Sequence, residues 1–228
     1  MKNNNFLPMV KTVIFNVKRK IEDDNNSQTI VKIVFIPKKG PAYSCISNMN
    51  DIDFKNNSKF YREFFSLQTN VNELYINFME DRLKVGETSQ VVQFINMMKC
   101  FNNLDIISLN IPHNSYALAI FKSFQTCFIN VKTLILGFGS CSLDDNSLVS
   151  LNVISSLVDL ETLCVDISHN KITDHCIATL NVFIKPPKLK NFYMKIYGNR
   201  ISKSIIYEVE SKLEVSKIKH YIQKEDLI

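Results

Sequence analysis

The sequence predicts an α/β fold of stacked strand–turn–helix units, with a parallel β-sheet on one side and a row of helices on the other. Three observations carry this. LETLCVDISHNKITDHCIATL, from Leu160, recurs as LKNFYMKIYGNRISKSIIYEV, from Leu189, at an offset of 29. Within each copy, Leu163, Val165 and Ile167 alternate as strand residues facing one side do. After the strand, Ile172, Cys176, Ile177, Leu180 and Phe183 have helical spacing. A unit of this size cannot bury its apolar face alone, so neighbours must stack to supply a continuous core.

The other units follow from that template. Val131, Leu134, Leu136 and Phe138 stand 29 residues before Leu160, Leu163, Val165 and Ile167. Leu104, Ile107, Leu109 and Ile111 come one unit earlier, and Val71, Leu74, Ile76 and Phe78 one before that. Two weaker units are expected near the start, at Val10, Val13, Phe15 and Val17 and at Ile30, Ile33 and Phe35. Val215, Ile218 and Ile222 suggest a last, degenerate strand. PKKGPAYSCISNMNDIDFKNNS, rich in Pro and Asn, reads as an insertion loop over about 37–58 before a helix at about 58–68. The whole chain, 1–228, is read as one domain: irregular repeats over 1–70, regular repeats over 71–214, and a C-terminal cap over 215–228.

Five units in one register resemble the leucine-rich repeat family, in its longer, ribonuclease-inhibitor-like class of about 29-residue repeats. The resemblance is good over 71–214 and poor at the termini. It implies a solenoid, or horseshoe, with the parallel sheet on the concave face and helices on the convex face. Curvature has a physical cause, since helices are wider than the roughly 4.8 Å between strands. This chain departs from the family spacing because Asn114, Cys141, Asn170 and Asn199 stand at the eleventh position of their units, two later than usual. The same delay in four units argues for a lengthened strand. The resemblance further implies that these four side chains hydrogen-bond the turn backbone of neighbouring coils.

Bulk properties agree with a folded chain. The 228 residues are 46% apolar, and no apolar run reaches the roughly 18–20 residues of a membrane span. MKNNNFLPMVKTVIF lacks the apolar core of a signal peptide, so a cytoplasmic location is expected. The Asn25 and Asn56 sequons then read as polar loops, and the six cysteines as reduced thiols. The repeat Cys-Phe-x-Asn at Cys100 and Cys127 places both thiols where a helix returns to a strand, as small core residues. Cys164 is turned by alternation toward the open face. Heavy use of Asn, Lys and Ile points to an AT-rich genome.

The net charge of +5 is uneven. Residues 1–41 carry 8 basic and 3 acidic side chains, residues 185–220 carry 9 and 3, and the segment between carries 9 and 14. Basic ends could steer RNA or an acidic partner.

Chemical motifs are explained by the repeat. GFGSCS, Gly137 to Ser142, is half of a dinucleotide fingerprint, but it lies where a repeat turn belongs. His113 and His169 each precede a ladder residue, one before Asn114 and Asn170. Asp145 and Asp174 match in register and are expected, with Asp144, to cap helices. No metal-ligand spacing, nucleophile elbow or phosphate-binding loop is present in the sequence. The chain is therefore expected not to be an enzyme, and to hold no metal, cofactor or small-molecule substrate.

Binding is the stronger expectation. Alternation assigns Tyr75, Asn77, Asn110, Asp166, Tyr193, Lys195 and Tyr197 to the open face, and these are the candidate partner-binding residues. Two tyrosines around a lysine combine rigid amphipathic area with charge. The expected function is a non-catalytic scaffold or assembly subunit holding a protein partner within a larger complex. The resemblance adds a cytoskeletal or ciliary setting. The alternative is a ribonucleoprotein subunit whose basic ends, Lys18-Arg19-Lys20 and Lys185 to Lys219, contact RNA phosphates.

Overall fold

In the computed structural model the described residues are 10–23, 26–37, 43–48, 71–78, 101, 103–123, 125, 128 and 130–224, the first three strands through their backbone. Nine strands form one sheet in the order β3-β2-β1-β4-β5-β6-β7-β8-β9. They are β1 (Val10–Asp23), β2 (Asn26–Pro37), β3 (Tyr43–Asn48), β4 (Glu73–Phe78), β5 (Ile106–Asn110), β6 (Thr133–Gly137), β7 (Thr162–Asp166), β8 (Asn191–Lys195) and β9 (Lys219–Gln223). From β4 to β9 all six are parallel and lie in chain order, so successive coils are neighbours. The described helices are α1 (Ala117–Ser123), α2 (Asp145–Leu148), α3 (Ile177–Phe183) and α4 (Lys203–Val215), with 3₁₀ segments at Val149–Ser156 and Asp174–Cys176. No described helix is long and apolar enough to cross a membrane.

The strand register is the one the alternation predicts. Leu74, Ile107, Leu134, Leu163 and Phe192 are successive partners across five strands, and all are fully buried. Ile76, Leu109, Leu136, Val165 and Met194 form the second buried row. The helices cover this face with Phe121, Leu148, Leu180, Phe183 and Val209, all buried. Phenylalanine fills the gaps: Phe121 meets Phe128 at 5.2 Å and Phe138 at 6.1 Å between ring centres. Each such side chain withdrawn from water contributes about 1.5–3 kcal/mol, so adjacent coils hold each other.

Pairing between coils runs past the strands. Ile111 N–H donates to Gly137 O at 2.7 Å and His113 N–H to Gly139 O at 2.9 Å. The same steps recur at Phe138 and Ser140, and again at Ile167 and His169. This continued pairing is why the ladder residues come two positions late.

Three of the four expected ladder residues join neighbouring coils, Cys141, Asn170 and Asn199, whereas among the described residues Asn114 bonds only within its own turn. The Asn170 amide donates to Phe138 O of the preceding coil at 2.9 Å, and its Oδ1 accepts from Leu143 N–H at 2.9 Å. Asn199 repeats this, donating to Ile167 O at 2.9 Å and accepting from Ile172 N–H at 3.1 Å. The Cys141 thiol donates to Ile111 O at 3.1 Å. Between these turns the backbone is left-handed at His113, Ser140, His169 and Gly198, with φ of 57°, 56°, 52° and 69°. Three side-chain-bearing residues thus occupy a conformation that favours glycine.

Four expectations need correcting. Ile30, Ile33 and Phe35 are not a parallel repeat: β2 runs antiparallel to β1, while β1 alone joins β4 in parallel with Val13 opposite Leu74. Alternation is the same for either strand direction, so it could not tell them apart. The segment read as an insertion loop contains β3, which pairs antiparallel with β2. The last strand is shifted by two: His220 and Ile222 oppose Phe192 and Met194, whereas Val215 ends α4 and is 81% exposed. Finally, of the three acids only Asp144 caps a helix, accepting from Ser147 N–H. Asp145 and Asp174 instead reach the next coil, accepting from Thr173 N–H at 2.9 Å and Ser202 N–H at 2.7 Å. The helix at about 58–68, Cys100 and Cys127 lie outside the described residues.

Candidate interaction face

The sheet face away from the helices is built by the residues between the buried ones. Three rows cross β4 to β9. Glu73, Ile106, Thr133, Thr162, Asn191 and Lys219 form the first. Tyr75, Ser108, Ile135, Cys164, Tyr193 and Tyr221 form the second, and Asn77, Asn110, Gly137, Asp166, Lys195 and Gln223 the third. A cleft of about 470 Å³ opens between the last two rows. Its floor is apolar, from Ile135 and Cys164, its polar edge is Asn110, Asp166 and Lys195, and two tyrosines stand at one end.

Gly137 makes room for the Asn110 side chain at the cleft. A Cβ there would come within 2.3 Å of Asn110 Oδ1, so the Asn110 carboxamide leans across the space a side chain would fill. Asp166 is held from the turn beyond it, its Oδ1 accepting from Ser168 N–H at 3.0 Å and from the Ser168 hydroxyl at 2.6 Å. Its Oδ2 stands 4.0 Å from Lys195 Nζ, too far for a hydrogen bond. Tyr193 is 36% exposed and Tyr221 60%, and rings of this kind are frequent anchors for a partner.

Charges at the strand entrances are already matched. Lys132 bonds Asp105 at 2.8 Å and Lys190 bonds Glu161 at 2.8 Å. The hydrogen bond to Asp105 raises the Lys132 pKa, and the one from Lys190 lowers that of Glu161. These pairs are exposed and contribute little to stability.

The thiols are held protonated. Burial pushes Cys141 up to about 11 and Cys176 up to about 12. Burial also raises the Cys164 thiol at the cleft floor. A thiol needs a depressed pKa to be a good nucleophile at neutral pH. Among the described residues no group of His, Cys, Asp or Glu is gathered to hold a metal ion. The GFGSCS segment is a turn, with left-handed Ser140 and Ser142 following β6.

Five of the seven candidates line the cleft together: Asn77, Asn110, Asp166, Tyr193 and Lys195. Tyr75 stands in the same row as Tyr193, on β4 opposite Ser108, outside the cleft lining. Tyr197 does not join them. It lies beyond β8, half-buried, with its ring edge-on to His169 at 4.9 Å. Sequence reasoning missed Tyr221 and Lys219, because it took the last strand as degenerate and assigned none of its residues to the open face; a shift of two would have kept both on that face. The alternation Lys219, Tyr221, Gln223 was the signal, since it copies Asn191, Tyr193, Lys195. No family model matches the chain, and no curated protein aligns with it.

Proposed function

We propose that this chain is a leucine-rich-repeat solenoid that works as a non-catalytic scaffold, holding a protein partner on the open face of its sheet. One observation carries the reading: the cleft that gathers Tyr193, Tyr221, Asp166 and Lys195 over an apolar floor. Those residues come from coils whose other faces are spent on the core, so their exposure is not required for folding. The solenoid reading is supported by coils that neighbour one another in chain order and by the asparagine ladder between them.

The test is a pull-down from native cells with the full chain and with Tyr193→Ala/Tyr221→Ala. Recovery of a protein partner should fall at least ~10-fold, as loss of two anchoring rings implies, while the melting temperature barely moves. Undiminished recovery by the double variant would refute the site. If RNA rather than protein is retained, with binding that drops steeply as salt rises, the scaffold reading fails.

A further inference from the structure

Resting on that reading, the geometry points to the kind of partner: we propose that the Tyr193–Tyr221 end of the open face docks an extended acidic protein segment with an apolar residue midway between two carboxylates. Charge is the first argument. Between residues 185 and 224, Lys188, Lys190, Lys212 and Lys224 all close on carboxylates at 2.6–2.9 Å. The two lysines on the open face behave differently. Lys195 reaches only 4.0 Å from Asp166, and Lys219 has no carboxylate partner among the described residues. On the open face, then, Lys195 and Lys219 are ammonium groups without a close counter-charge among the described residues, as Lys185, Lys203 and Lys217 are elsewhere in this span.

Spacing is the second argument. Asn191 opposes Lys219 and Lys195 opposes Gln223, so the lysines stand at opposite ends of the β8–β9 pair. They are four residues apart along the strands, about 13 Å at roughly 3.3 Å per residue. Tyr193 and Tyr221 are direct partners midway between them. An extended segment laid along these strands places residues i and i+4 over the two lysines, and residue i+2 over the tyrosines. An apolar side chain at i+2 can enter the cleft between the rings and the floor of Ile135 and Cys164. Cation-bearing segments would face two lysines.

Selection of a random decapeptide phage library on the immobilised full chain tests this, with wild type, Lys195→Glu/Lys219→Glu and Tyr193→Ala/Tyr221→Ala run in parallel. Wild type should enrich peptides with acidic-x-apolar-x-acidic spacing. The lysine reversal should weaken the enriched peptides at least ~10-fold and select basic residues at the same two positions. A milder Lys195→Met/Lys219→Met variant, which cannot create new ion pairs, should weaken them without selecting bases. Enrichment of peptides without acidic residues, still dependent on the tyrosines, overturns the acidic-segment proposal but keeps the open face as a partner surface. Enrichment indifferent to the tyrosines overturns both. Tighter binding of a labelled twelve-nucleotide oligouridine, competing with the selected peptides, also overturns the proposal.

Discussion

Asn170 and Asn114 hold the same place in two coils, yet their amides fare differently. The Asn170 Nδ2 donates to Phe138 O, Ile167 O and Ser168 O at 2.9–3.0 Å, and its Oδ1 accepts from Leu143 N–H. Among the described residues the Asn114 Oδ1 accepts from Tyr116 N–H alone, two residues on, and its Nδ2 is buried without a partner. The coil ahead of Asn170 runs 29 residues, from Val131 to Leu160, whereas the coil ahead of Asn114 runs 33, from Val71 to Leu104. A ladder amide is useful when the neighbouring turn has its own length and shape. At Asn114 the same residue is a local turn former, its carboxamide oxygen bonding within its own turn. The same residue type at the same place thus does two jobs, joining coils at Asn170 and closing its own turn at Asn114.

The most severe way to break the regular region is Leu163→Asp. Leu163 is fully buried beneath β7, and an unpaired carboxylate there costs several kcal/mol, roughly. The variant should lose its cooperative unfolding transition in circular dichroism. A folded variant would mean that β7 does not face the core as described.

Asn170→Ala sharpens the comparison. It strips partners from three carbonyls and one N–H, for a loss on the order of 3 kcal/mol by urea unfolding. Asn114→Ala forfeits one local bond while removing a buried, unmatched N–H pair, so its effect should stay within about 1 kcal/mol. Equal losses at the two sites would remove the contrast between the coils.

A smaller effect comes with alkali. The folded-state pKa values of Cys141 and Cys176, about 11 and about 12, lie above the ordinary thiol value of 9.0. The neutral thiol is the form the fold accepts, so stability is intact below pH 9.0 and declines as pH rises toward 11–12. Cys141→Ala/Cys176→Ala should be less stable at pH 7 but show a flatter decline. Parallel alkaline profiles would contradict thiol burial as the cause.

The smallest change concerns the left-handed turn. Ser140→Gly removes a Cβ from φ of 56° and should raise stability by at most about 1 kcal/mol. A drop in melting temperature would show that Ser140 contributes more than its backbone strain costs.

Much of this was legible beforehand. Leu134, Leu163 and Phe192 were recognisable as partners because each begins the same alternation at the same offset. Asn170 and Asn199 were recognisable because they close identical turns. The N-terminal antiparallel hairpin was not, since Ile30, Ile33 and Phe35 alternate as a parallel strand would. The last strand was misread because Val215 and Ile218 are apolar, although Val215 terminates α4 in solvent. Tyr197 entered the expected site for another reason, because the alternation was carried two residues past the end of β8 at Lys195.

The sequence by itself determined which side of each strand meets the helices, because a period of two is a local property that burial reads directly. Only the tertiary structure decided which open-face residues become neighbours. Inter-strand register joins residues nearly thirty positions apart, and it depends on how every intervening turn and helix closes. That closure set Tyr221 beside Tyr193 and laid the Asn110 carboxamide over Gly137.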